Sequence, residues 1–365
     1  MWLLATLWTT PALAWDERGI NGEPTGRALA AEDHFVPHDP SWGDAFVPTS
    51  PQDLGLVARE AASNLRRLQG TDSPVGTPGL LSELGITLDD VLRTLDHISR
   101  VAYEDRDAPV QRLQDPTWIA EHFETLHWQP DQKRAMTRKI ELSDEEIRLT
   151  KYVIYTVPGS HERTGRFDTA LYAAPRRVDG REPDIQYRLT RMDVYAGAYE
   201  PGGRAAGRAR PLVWLTRDAV NQALLQGTIR VNVPGEATRM YNVHVNNGRA
   251  WQPGTADQSL QPRYWYFREV DKIFGVEQTA LRAEAAVAGD VYNLGFGKLV
   301  ALEWPAEEGT ELRLAILADT GGAFQPNLFQ LDFLAGEFAS KQAFAQWVRS
   351  TPTRVRASIL VWRRK

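Results

Sequence analysis

The sequence contains no cysteine. That excludes a disulfide framework, a thiolate nucleophile, a Cys-ligated metal and the lipid-bearing Cys of a lipoprotein anchor. A basic excess is lacking as well: 42 Lys and Arg stand against 47 Asp and Glu, a net charge of -5. Nucleic-acid binders carry a strong basic balance, so that partner class is set aside. Beyond the first residues there is no long apolar run, and the opening one is too short to span a bilayer. No G-x-S-x-G signals a serine nucleophile. Asp-Thr-Gly occurs once, at Asp319-Thr320-Gly321, whereas an aspartic protease needs two such aspartates sharing a proton. His34 and His38 have a metal-like spacing but no evident third ligand, and read as surface residues. Internal repeats and low-complexity stretches are absent too.

What is present is a chain of 365 residues with 42% hydrophobic content and 12 Trp, enough for a sizeable core and two domains. Residues 1–14 read as a signal peptide: an apolar core ends at the small-x-small triplet Ala12-Leu13-Ala14. An exported, soluble protein follows, periplasmic or secreted. Residues 15–50, rich in Pro, Gly, Asp and Ser, read as an irregular arm or linker. Ser50-Pro51 then opens a helix with Leu54, Val57, Ala61, Leu65 and Leu68 at helical spacing. A short helix is expected over Leu80–Leu84. Thr87 opens another, with Val91, Leu92, Leu95, Ile98 and Val101 inward, and Asp115-Pro116 opens one carrying Trp118, Ile119, Phe123 and Leu126. From Leu149 the pattern changes to short alternating runs separated by turns, such as Tyr152–Val157, Thr228–Val233 and Met240–Val245. Helices followed by strands indicate α+β, mostly β.

Two acids stand out. Asp319 ends the apolar run Leu314–Leu317 before Gly321-Gly322, and Asp332 lies between Leu331 and Phe333. A carboxylate resists leaving water, so an acid in apolar surroundings is a candidate acid/base. The plainer alternative is that Asp319 bonds the turn and Asp332 faces outward.

These acids carry a resemblance. Asp290 in A-G-D-V-Y-N-L-G, Asp319 in D-T-G-G-A-F and Asp332 in L-D-F-L-A-G resemble the three aspartates of the C-terminal 3D domain of the membrane-bound lytic transglycosylase A family. Pieces upstream agree in order: Leu149-Thr150-Lys151-Tyr152, Ala170–Pro175, Gln226-Gly227-Thr228, Val245–Trp251 and Gln261–Phe267. The resemblance implies a double-psi β-barrel domain from 51–165 plus 275–365, N-terminal helices included, and an inserted β-barrel domain over 166–274. It implies cleavage of the MurNAc–GlcNAc β-1,4 bond of peptidoglycan with a 1,6-anhydromuramoyl product, without metal or organic cofactor. The partner implied is the glycan strand, and the state a monomer without lipid anchor. Asp332 maps onto the catalytic acid, Asp319 onto its supporting acid and Asp290 onto a structural acid. Thr150, Gln226, Asn247, Trp251, Tyr264, Trp265 and Tyr266 map onto the substrate groove. Two other readings stay open: a non-catalytic wall-binding protein of the same fold, and a glycan hydrolase with a second carboxylate at Asp193 or Glu200.

Overall fold

The computed structural model describes residues 15–19, 22–176, 184–249, 252, 255, 257–307, 309–324 and 326–364. The expected signal peptide lies outside them. Among the described residues no helix is long and apolar enough to cross a membrane.

The chain opens with strands β1 (Trp15–Arg18) and β2 (Pro24–Leu29), an antiparallel pair, and then β3 (Phe35–His38). The arm expected over 15–50 is therefore regular in part. Its strands are short and held by polar side chains, so they lack the apolar alternation that announces a strand. His34, expected at the surface, is buried with Nδ1 against Gln129 O at 3.3 Å, and burial lowers its pKa. Helix α1 (Pro51–Leu68) starts where Ser50 caps Asp53 N and Pro51 sets the first turn. Helix α2 (Leu88–Glu104) starts in a reciprocal capping box of Thr87 and Asp90. Their apolar stripes pack on each other; at Gly55 an added Cβ would lie 2.5 Å from the Ala102 Cβ, so glycine permits the close approach.

Helix α3 (Pro116–His122) is shorter than its apolar spacing suggests, because Phe123 and Leu126 belong to strand β4 (Phe123–Trp128). Helix α4 (Gln132–Thr137) and strand β5 (Ile147–Pro158) follow. Next come β6 (Thr169–Tyr172), α5 (Asp184–Arg188), α6 (Arg191–Tyr195), β7 (Pro211–Leu215), α7 (Arg217–Gln226), β8 (Thr228–Asn232), β9 (Arg239–Asn246) and β10 (Trp265–Val270). The C-terminal part holds β11 (Ala286–Ala288), β12 (Leu299–Ala306), β13 (Gly309–Asp319), β14 (Gln330–Phe338), α8 (Lys341–Arg349) and β15 (Arg354–Trp362). A π-helical turn, Val291–Gly295, separates β11 from β12.

The chain divides into two compact units. One holds the described residues up to Thr150 with Ala285–Asp332 and Thr353 onward; the other holds Lys151–Glu284 and Phe333–Pro352. The first stretch of the first unit ends at Thr150, and helix α8 falls in the second unit.

The fold is mostly β, with a closed six-stranded barrel in the order β5-β14-β11-β13-β12-β15, and β15 returning to β5. Strands β11 and β13 run parallel, while β12 is antiparallel to both β13 and β15. Strands β4 and β3 extend the sheet from β15. Its strands are aliphatic and covered on both faces: Leu299, Leu314, Ile316, Leu317 and Leu331 are almost wholly buried, although the adjacent Ile316 and Leu317 point to opposite sides.

In the second unit β5, β8, β9 and β10 form a sheet in which β5 and β8 are parallel, and β6 pairs with β7. Its core is rich in tyrosine. Tyr172, Tyr199, Tyr264 and Tyr266 pack edge to face or tilted, with centroids 5.0–6.2 Å apart, and the Tyr199 and Tyr266 hydroxyls share a hydrogen bond.

Candidate active site

The strand order β14-β11-β13 places Asp332, Asp290 and Asp319, all residues of the first unit, on or just past three neighbouring strands. A parallel register pairs Ala288 of β11 with Asp319 of β13. Distant sequence positions meet because β11 runs alongside β13 and the chain then returns through β14.

Asp290 is fully buried. Its Oδ2 accepts from Asn327 N at 2.7 Å and Asn293 Nδ2 at 2.8 Å, and its Oδ1 from Asn293 N at 3.1 Å. Burial pushes its pKa up to about 6; the hydrogen bonds from Asn327, Asn293 and the Tyr292 backbone pull the other way without cancelling it. Asp319 is half-buried and its Oδ1 accepts from the backbone N of the next residue, Thr320, at 2.8 Å. Thr320 Oγ1 donates to Gly289 O at 2.8 Å, joining that residue to the end of β11. Asp332 is half-buried between the buried Leu331 and Phe333, with its Oδ1 shielded from solvent.

The segment entering Asp332 is held residue by residue. Arg138 Nη2 donates to Pro326 O at 3.3 Å. Leu328 O accepts from Trp128 Nε1 at 3.1 Å and Asp131 N at 3.0 Å. Phe329 N donates to Asn327 Oδ1 at 3.1 Å, and Phe329 O accepts from Arg148 N at 2.8 Å. Thr150 Oγ1 takes Gln330 Nε2 at 3.0 Å and donates to Leu331 O at 3.2 Å. The loop's backbone groups thus find specific partners, and Asp332 follows a segment with little freedom.

The groove residues expected from the resemblance divide three ways. Thr150 keeps some exposure while bonding β14. Gln226 is half-buried at the end of α7, its Oε1 accepting from Val153 N at 3.0 Å. Trp265 is half-buried, with the Arg263 guanidinium 4.9 Å from its ring. Tyr264 and Tyr266 are 0% exposed and Asn247 is 1% exposed, so none of these three offers a face to a sugar. The tyrosine rings fill the core, since alternate strand residues must be buried. Asn247 Nδ2 instead donates to Leu189 O at 2.8 Å and Pro262 O at 2.9 Å, and its Oδ1 accepts from Tyr264 N at 3.0 Å. Trp251 lies outside the described residues.

The second-carboxylate candidates have bonding roles elsewhere. Asp193 closes the capping box of α6 with Thr190 and pairs with Arg204. Glu200 pairs with Arg163. Among the described residues no group of three or more His, Asp or Glu is arranged to hold a metal ion.

Sequence reasoning passed over Asn293, Asn327, Trp128 and Asp131. One signal was legible: Asp290 and Asn293 have the i, i+3 spacing of a helix cap. The other three act through backbone groups or reach across long sequence separations, which no local pattern encodes.

No protein-family model matches the sequence, and no curated protein matches it. Solved structures do. A membrane-bound lytic murein transglycosylase from Agrobacterium tumefaciens aligns with a TM-score of 0.58 at 18% identity, over 90% of this chain and 97% of that one. MltA from Escherichia coli, crystallised with chitohexaose bound, aligns with a TM-score of 0.57 at 15% identity, over 94% and 100%. MltA from Neisseria gonorrhoeae gives 0.58 at 16%, over 95% and 97%. The chain therefore has the fold of the membrane-bound lytic transglycosylase A structures.

Proposed function

We propose that the protein is a peptidoglycan lytic transglycosylase with Asp332 as its single general acid and base, working in a barrel of double-psi type. The observation that carries this reading is the gathering of Asp290, Asp319 and Asp332 on neighbouring strands, in a chain whose fold is that of lytic transglycosylase structures. In the reaction the protonated Asp332 carboxyl gives its proton to the glycosidic oxygen as the bond to muramoyl C1 breaks. The C6 hydroxyl of the same muramoyl residue then attacks C1 and closes the 1,6-anhydro ring. Its proton returns to Asp332, so the acid is regenerated and no water is consumed. A hydrolase would need a second carboxylate to activate water; Asp193 and Glu200, engaged in a cap and an ion pair, do not favour that reading. Asp319, bonded to the backbone N of Thr320, supports the site, and Asp290 holds the loop between the two other acids. The glycan strand is the substrate, with the half-buried Thr150, Gln226 and Trp265 the remaining candidates for sugar contact. Chitohexaose, the ligand of the Escherichia coli structure, is a linear GlcNAc polymer and supports a glycan ligand. Export to the compartment that holds the cell wall belongs to the same reading.

The test is digestion of purified peptidoglycan by the chain from Trp15 onward and by Asp332→Asn, with products read by mass spectrometry. Anhydromuramoyl ends from the first and none from the second are expected. Reducing ends would replace the reading with hydrolysis. Retention on the insoluble wall with no product would replace it with a binding protein.

A further inference from the structure

The hairpin β1–β2 reaches the segment ahead of Asp332 by two separate hydrogen-bonded routes. The first runs through Asn293, which is fully buried. Its Oδ1 accepts from Arg18 N at 2.7 Å and Trp15 Nε1 at 3.1 Å, and its Nδ2 donates to Arg18 O at 2.9 Å. The same Nδ2 donates to Asp290 Oδ2, the atom that accepts the Asn327 amide. The second runs through Glu17, which is 2% exposed. Glu17 takes Arg27 at 2.9 Å and Thr25 Oγ1 at 3.0 Å, and pairs with Arg134. Arg27 also reaches Asp131 Oδ2 at 2.6 Å, and Asp131 N donates to Leu328 O at 3.0 Å. The two routes end on consecutive residues, Asn327 and Leu328, a few positions before Asp332.

Buried charges and amides persist only when paired. Here a buried acid on β1, Glu17, and a buried amide beside it, Asn293, spend their bonding on groups that lead to one loop. We propose that the β1–β2 hairpin is a brace that fixes the 326–332 segment, with Asn293 and Arg27 as positioning residues for the acid it carries. The catalytic part of this inference rests on the assignment of Asp332 above. Neither residue touches substrate in this scheme. Each acts by limiting where β14 begins, and a misplacement of about 1 Å at a reacting group costs on the order of a hundredfold in rate.

The experiment compares the wild type with Asn293→Ala and Arg27→Ala in the chain from Trp15 onward. Arg27 is a third exposed, so its variant keeps the test alive where Asn293→Ala fails to fold. Two readouts are taken: amide hydrogen exchange over 326–332, and kcat and KM for release of anhydromuramoyl product from peptidoglycan. Faster exchange confined to that segment is expected, with kcat reduced about tenfold or more and KM within about twofold. Unchanged exchange overturns the brace. Faster exchange with unchanged kcat overturns the positioning role. If the wild type releases no anhydromuramoyl product, the assignment of Asp332 fails instead, and the exchange measurement still decides whether the hairpin is a brace.

Discussion

Replacing Lys298 with methionine should stabilise the first unit at neutral pH, and the gain should shrink as pH rises. Lys298 follows the π-helical turn and precedes β12. Its side chain is almost wholly buried, and Nζ meets no hydrogen-bond acceptor among the described residues. The amine lies close against the backbone of the turn: a Cβ added to Gly295 would sit 2.6 Å from it. Burial alone lowers the lysine pKa from its ordinary 10.5 to about 7, with no charged neighbour contributing. The folded chain therefore binds fewer protons than the unfolded one between those values, and stability rises with pH across that window. At about 1.4 kcal/mol per pH unit the full displacement amounts to about 5 kcal/mol. It is wholly regained above pH 10.5 and lost as pH falls to about 7. Methionine has a similar length and no charge to desolvate, so the variant should gain about 4 kcal/mol at pH 7, less any packing strain. Near pH 9.5 the difference should drop by about 3 kcal/mol. Urea denaturation of both proteins at the two pH values, following the first unit's transition, measures it. A methionine variant less stable than the wild type at pH 7, by an amount that does not change with pH, would refute the reasoning; it would mean that the ammonium is charged and well solvated in the fold.

The remaining predictions concern two buried polar residues. Asp290 has a folded pKa raised from 3.8 to about 6, so the folded state holds the extra proton in between, and Asp290's contribution to stability falls as pH rises through 6. Relative to Asp290→Asn, the wild type should lose about 3 kcal/mol between pH 3.8 and 7; a wild type that gains over the variant in this window would show that the anion is the favoured form. Asn247→Ala strips three buried partners of their bonds and should destabilise the second unit by about 2–4 kcal/mol in thermal or urea melts. Well below the melt its retention on insoluble peptidoglycan should be unchanged; lost retention at unchanged stability would make Asn247 a sugar ligand after all.

Much of the barrel was legible because its strands announce themselves locally. Leu314–Leu317 is a continuous apolar run, and the turn residues that follow Asp319 mark where it stops. The Thr87 and Ser50 caps were equally plain, since a cap is a contact between residues three apart. The failures have a common physical cause. Phe123 and Leu126 fit a helical stripe, yet the strand pairing of β4 with β15, more than 200 residues away, overrode the local period. Tyr264 and Tyr266 are aromatic and sit in a strand, so they fit a sugar platform and a core equally well. Only the packing of Tyr199 against Tyr266, and of Tyr266 against Tyr264, decides. Strands β1 and β2 escaped notice because what holds them is Asn293, Glu17 and Arg27 rather than an apolar face.

The same reasoning explains how a chain 15–18% identical to solved relatives keeps their fold. Part of what grips the loop before Asp332 is backbone to backbone: Asp131 N donates to Leu328 O and Arg148 N to Phe329 O. Backbone groups are supplied by every sequence, so their geometry survives extensive substitution provided the strands keep their order. Side chains complete the arrangement, and among them the buried Asp290 takes the Asn327 amide. It is buried at a cost, because its ionised form is disfavoured there, and it repays that cost only by collecting three amide donors from two different loops. An apolar residue at that position would avoid the penalty and leave those donors unbonded. Removing that carboxylate would release the Asn327 amide and loosen the segment that leads to Asp332.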